Sequence, residues 1–432
     1  MTHSLVRSLV SCKTVSCKTV SRTALSLGAT RLGVALCCTF ALTLACSDDD
    51  VEVTPGNGGG SGSGGDAGTG GSAGTGGSGG SAGDAGVSGP SGTIQVLSSD
   101  PALRGPTTAA VRGNNLWVVN GQLSGLFGGA APVTPFTVVS VPLAGGAIGS
   151  DVINLPGLEF YPEGIAAAAD GTLYVGSVNL STIVRVPADS LLTTTVVPAG
   201  IAERGVIGLT VDDTRGLLWF CDSNPVLDVN LRGGAIVGID LDDGTEVVRH
   251  AMPNSGAADA GSSDAGLSDA GTDAGDAAAA PAAGVPSFCN DVIVSPSGVI
   301  FATDSAGGRI FRVPAANVMT PNSAEVWLSV PEIAPPAPGG FGANGLDLVG
   351  DSLIIANGNL VAVNPASSNP ASTVRVINLT LNGAPATLCG PDGLQTVPGS
   401  NTDIVVVENG GCTNPPGGDG DRVVRVTLDL AD

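Results

Sequence analysis

Four oxygen-bearing side chains, Glu163, Asn290, Asn344 and Asp392, stand at the same place in four copies of one recurring sequence unit. Glu163 lies in Pro-Glu-Gly, Asn290 in Asn-Asp-Val, Asn344 in Asn-Gly-Leu and Asp392 in Pro-Asp-Gly. Two carboxylates and two amide carbonyls suit a hard divalent cation, with a ligand charge that matches the ion. Calcium tolerates an irregular set of oxygens better than magnesium, which demands tight octahedral geometry. Taken singly, an Asn or Asp before a glycine is equally an ordinary turn former. The shared register of the four is what makes them a candidate metal site. Two further copies carry Thr107 and Ile207 at this place, neither of them a comparable ligand.

The element that must position these residues is clearest at residues 288–313, FCNDVIVSPSGVIFATDSAGGRIFRV. Three short β-branched runs are separated by the turn Ser295-Pro296-Ser297-Gly298 and a loop from Asp304 to Gly308. This pattern reads as an antiparallel meander. One meander cannot bury both of its faces, so the unit has value only when repeated. Copies begin at Pro106, Pro162, Val206, Ala343 and Pro391, each leading to an apolar run such as Leu116-Trp117-Val118-Val119 or Leu217-Leu218-Trp219-Phe220. Six sheet-sized units with almost no helical periodicity predict an all-β fold, a six-bladed β-propeller. A β-sandwich with coincidental turns is the alternative, and six units in one register argue against it. In a propeller the six register positions surround the central channel at one end. The run Thr93-Ile94-Gln95-Val96-Leu97 has no inner strand of its own. It is expected to close the ring as the outer strand of the last blade, next to Val423–Leu428.

From about residue 92 to the C-terminus the chain resembles the SMP-30/gluconolactonase/luciferin-regenerating-enzyme family of six-bladed propellers. In that family a Glu, two Asn and an Asp, in chain order, hold a catalytic divalent metal. The matching positions are Glu163, Asn290, Asn344 and Asp392, in order and with similar flanking residues. Relatives usually carry the Leu-Trp-Val-Val-Asn repeat at the C-terminal end, whereas here it comes first, a permutation that a ring tolerates. The resemblance implies a divalent-metal-dependent hydrolase, with calcium as the expected ion, acting on a lactone or related ester. Asp392 is then the catalytic general base. Asp291, Asp304, Thr107 and Asn120 are candidates for contact with the ligands or the substrate, and Trp117 and Phe341 for the mouth. The competing reading is a non-catalytic surface module with a structural ion that binds through its loops, since fold does not fix function. A carbon–carbon bond former of the strictosidine-synthase kind would lack an obvious catalytic Glu.

Composition removes other chemistries. No lysine follows Lys18 and the only histidine beyond residue 3 is His250. A P-loop, a Schiff base and a His-rich zinc site are therefore excluded. A Ser-His-Asp triad would have to use His250, at the end of an outer-strand pattern. The formal charge of −22 makes nucleic acid a poor partner. The expected partner is a small-molecule substrate or ligand, with the protein a monomer.

The ends and interruptions are compositional. Arg7, Lys13, Lys18, Arg22 and Arg31 precede a short apolar stretch that ends in Leu44-Ala45-Cys46. Residues 1–45 read as a lipoprotein signal peptide, with Cys46 the lipidated first residue of an exported, envelope-anchored protein. An ordinary secretory signal or an uncleaved anchor is the alternative. Residues 46–92, rich in Gly, Ser, Ala and Asp, form a disordered tether with a reach of ~35–40 Å. The propeller occupies 93–432, interrupted at 254–286 by a disordered Asp-Ala-Gly insertion. Cys221, Cys289, Cys389 and Cys412 allow three pairings. Strand positions favour Cys221–Cys289 and Cys389–Cys412, both at the metal face, over free buried thiols.

Overall fold

The computed structural model describes residues 89–127, 129–198, 205–223, 233–254, 286–337, 340–410 and 421–431. All of them fall within the unit Ser81–Asp432. The signal segment, Cys46, Cys412, the insertion from 255 to 285 and the tether up to residue 88 lie outside the described residues.

The apolar runs explain the architecture. Leu217, Leu218, Trp219, Phe220 and Cys221 are all buried although they are consecutive. Side chains alternate across a strand, so such a run needs a covered sheet on both faces. Leu217, Trp219 and Cys221 pack into one cluster with the next sheet, and Leu218 and Phe220 into another with the preceding one. Six clusters of this kind occur, one between each pair of neighbouring sheets. Each large side chain so buried contributes about 1.5–3 kcal/mol. The chain is a six-bladed β-propeller, with five four-stranded sheets and one six-stranded sheet.

The innermost strands of blades 1 to 6 are Pro106–Arg112, Pro162–Ala167, Val206–Asp212, Cys289–Val294, Leu346–Val349 and Pro391–Thr396. Each touches the inner strands of the blades before and after it, and the sixth touches the first. Closure occurs where the sequence places it. The N-terminal strand Ser91–Ser98 pairs antiparallel with Asp421–Asp429, with Ile94 opposite Val426. It begins two residues before the boundary read from composition. It is not the outermost strand of its sheet, however. Asn378–Leu381 pairs parallel to it, and Ala384–Ala386 pairs antiparallel to that strand. Sequence reasoning missed this hairpin because its strands are short and the second carries Pro385, although the Asn382-Gly383 turn between them is a hairpin signal.

Candidate metal centre and substrate cavity

The inner strands share an irregularity that aims the side chains. In blade 1, Pro106 faces Asn120 and Ala109 faces Val118, so Thr107 and Thr108 oppose Val119 alone. The same two-against-one bulge recurs at Glu163–Gly164, Ile207–Gly208, Asn290–Asp291 and Asp392–Gly393. A bulge bends its strand and turns a side chain out of the pleat, here at the register position singled out in the sequence. In blade 5 Asn344 stands two residues before the strand. Its N–H bonds to the Ala356 carbonyl at 2.9 Å, and the Ala356 N–H returns to Gly345 at 2.9 Å.

The residue after the register position joins neighbouring blades, on a bulge in five blades and before the strand in blade 5. A Cβ on Gly164 would lie 2.0 Å from the Ile207 carbonyl, one on Gly208 2.6 Å from that of Asn290, and one on Gly345 2.1 Å from that of Asp392. Gly393 is pressed against Thr108 in the same way. The two blades without glycine here use a hydrogen bond instead. Thr108 Oγ1 donates to the Glu163 carbonyl at 3.0 Å, and Asp291 Oδ2 accepts the Leu346 N–H at 3.0 Å. Thr107 Oγ1 also donates to the Glu163 carbonyl, at 2.8 Å. Glycine is needed at four of these joints because backbone meets backbone without room for a side chain.

Glu163, Asn290, Asn344 and Asp392 line one cavity of about 260 Å³. Asn409 is the fifth polar side chain in the wall, and its Nδ2 donates to Asp392 Oδ2 at 2.6 Å. Leu123, Leu126, Val178, Ile207, Phe288 and Phe341 supply the remainder. Among the described residues the wall contains no basic side chain. Two buried carboxyls with no counter-charge resist ionisation. Burial, then the charges of Asp392 and Asp291, pushes Glu163 well above the usual carboxylate range. Asp392 is pushed up to about 7 by burial and by Asp291, against hydrogen bonds from Asn344 and Asn409 that favour the anion. Glu163 Oε2 and Asn344 Oδ1 are buried and have no hydrogen-bond partner among the described residues. Unpaired buried acceptors are rare and costly, and these two fit a donor set for a hard cation. No group of three or more His, Cys, Asp or Glu side chains placed to hold a metal exists among the described residues. The candidate set rests on two carboxylates completed by amide oxygens.

The other sequence candidates sit elsewhere. Asp291 faces a smaller cavity of about 80 Å³ together with Asp347. Burial pushes Asp291 up to about 7, against the Leu346 and Val292 N–H groups and with the Asp347 charge adding. Asp304 and Asn120 both end second strands and fix the chain that enters their own blade's inner strand. Asp304 Oδ1 accepts the Phe288 N–H at 2.8 Å and its other oxygen pairs with Arg309 at 2.7 Å. Asn120 Oδ1 accepts the Arg104 N–H at 2.9 Å. Trp117 is buried, with the Arg112 guanidinium 4.0 Å from its ring. None of these three lines the larger cavity, whereas Phe341 does.

His250 is fully buried between the Val318 carbonyl at 2.9 Å and the Ser323 N–H at 3.1 Å. Both ring nitrogens are thereby used, and burial lowers its pKa, so it is a neutral structural group. Sequence reasoning missed Asn409, Leu123 and Leu126. Asn409 ends the second strand of blade 6 at the register of Val178 in blade 2, which was the available signal. Leu123 and Leu126 lie on a 3-10 turn, Leu123–Phe127, for which periodicity gives no cue.

The disulfide Cys221–Cys289 joins blades 3 and 4 with a Cα separation of 5.1 Å, next to Asn290. Cys389 is also disulfide-bonded. The expected partner, Cys412, lies outside the described residues.

No family model matches the sequence, and no curated protein matches it. Similar folds occur among solved structures. One is a streptogramin B lyase, 10% identical over 78% of this chain and 98% of the other, with a TM-score of 0.47. Another is regucalcin, a calcium-binding protein from Agrobacterium tumefaciens str. C58, 13% identical over 78% and 94%, with a TM-score of 0.49. A third is luciferin-regenerating enzyme, 12% identical over 78% and 95%, with a TM-score of 0.48. At such identities the likeness is one of fold.

Proposed function

We propose that Glu163, Asn290, Asn344 and Asp392 hold a divalent cation, calcium, and that the protein hydrolyses a lactone or related ester. The observation that carries this reading is that four residues picked by register, from blades 2, 4, 5 and 6, line one cavity. Two of them keep buried oxygens without a partner among the described residues. When bound, the ion would polarise a substrate carbonyl and lower the pKa of a water. Asp392 takes up a proton as general base. Asn409 orients it by holding one carboxylate oxygen at 2.6 Å. The apolar wall keeps bulk water away from the reacting ester. In this reading Cys46 carries lipid and residues 46–92 hold the propeller away from a membrane surface.

A lactone and ester panel, run with calcium and then with chelator, tests the proposal. Chelator-sensitive turnover that is lost in Asp392→Ala is expected. Turnover that survives that substitution argues against this hydrolase mechanism, and none on any lactone or ester favours the binding-module reading.

A further inference from the structure

Resting on the hydrolase reading, we propose that the substrate is a small, uncharged lactone or ester with an apolar tail, and not a polyhydroxylated sugar lactone. Glu163, Asn290, Asn344 and Asp392 are committed to the ion, and the amide of Asn409 to Asp392. The rest of the described wall is Leu123, Leu126, Val178, Ile207, Phe288 and Phe341. None of these side chains donates or accepts a hydrogen bond. Phe288 and Phe341 come from adjacent blades and pack as a tilted pair, 5.5 Å between ring centres. Leu123 and Leu126 come from blade 1 and pack against the cores between blades 1 and 2 and between blades 3 and 4. Glu163, Asn290 and Asp392 therefore sit on inner-strand bulges, Asn344 just before an inner strand and Asn409 at the end of a second strand, and the rest of the described wall is hydrocarbon. A hydroxyl placed there loses water and gains no side-chain partner, which costs about tenfold in affinity per group. An alkyl chain gains from the same wall. A free carboxylate on the substrate finds no basic side chain among the described wall residues. The volume of about 260 Å³ is below the roughly 300–1,000 Å³ of sites for drug-sized ligands, so the tail is short.

Lactams resist hydrolysis and separate binding from turnover. Calorimetry on the full chain with calcium compares a γ-lactam bearing a butyl tail with a γ-lactam of the same ring bearing hydroxyls in its place. The alkyl lactam is expected to bind at least about tenfold tighter. Phe341→Ser and Leu126→Asn are each expected to weaken the alkyl lactam by about tenfold, with calcium still bound. Equal or tighter binding of the hydroxylated lactam overturns the proposal, as does binding of neither. Loss of calcium binding in both variants would mark the two side chains as structural and overturn it too. The matching lactones are assayed in parallel. An alkyl lactam that binds while its lactone is not turned over upholds the apolar pocket and removes the hydrolase reading instead.

Discussion

Glu163 and Asp392 pose an electrostatic problem at the scale of single residues. Both are buried, at 3% and 6% exposed, and both have raised pKa values. A carboxyl with a raised folded pKa binds more protons in the native state than in the unfolded one. Stability then falls as pH rises from about 4, where the unfolded group titrates, and levels off above the folded value. For Asp392 and Asp291 that value is about 7. Calcium-free protein is therefore expected to melt at a higher temperature at pH 5 than at pH 8, with calcium flattening the difference, as read by calorimetry. Glu163→Gln should raise the melting temperature of the chelated protein at pH 8 and weaken calcium at least about tenfold. Asn409→Ala removes the donor to Asp392. It should raise the pH at which calcium binding reaches half its maximum and weaken that binding about fivefold, measured by titration across pH.

At the scale of the element, a bulged inner strand does two jobs with two adjacent residues. The first faces the channel and the second joins the next blade. Gly345→Ala tests the equivalent joint in blade 5, where the residue precedes an unbulged strand, because the added carbon would meet the Asp392 carbonyl at 2.1 Å. A loss of about 2–3 kcal/mol in urea unfolding and of the calcium response is expected. The disulfide Cys221–Cys289 ties the start of one such strand to its neighbour. It spans 68 residues, and the chain-entropy account gives it about 4 kcal/mol. Cys221→Ser with Cys289→Ser should lose stability of that order and also weaken calcium, because Cys289 precedes Asn290. Stability that falls while calcium affinity stays unchanged would show that the bridge supports the fold alone.

The whole molecule is a closed chain of interfaces, and its closure depends on one short strand. Ile94 and Leu97 are each 3% exposed, and Gly92 is packed between Leu379 and Val426. Removing residues through Ser98 would free the edge of Asp421–Asp429 and take away the strand on which the hairpin 378–386 rests. At about 1.5–3 kcal/mol for each buried side chain, the loss is about 3–6 kcal/mol before ladder hydrogen bonds are counted. The truncated chain is expected to unfold at lower temperature and to associate through the exposed edge, seen by light scattering. A truncated chain that stays monomeric with an unchanged melting temperature would refute this view of closure.

The repeat, the blade number, the closing strand and the register of Glu163, Asn290, Asn344 and Asp392 could all be read along the chain. Each depends on local β-pattern and turn chemistry, and a ring turns equal register into spatial convergence. The 3-10 turn with Leu123 and Leu126, and the sheet edge that the hairpin 378–386 joins, could not be read in this way. Their places depend on which connections cross the mouth and which edge they meet, and those are contacts between residues distant in sequence. The roles of Asp304, Asn120 and Asp291 were likewise decided in three dimensions. An acidic or amide side chain beside a strand can face a channel or clamp a backbone N–H, and only the fold of the neighbouring segment decides between the two.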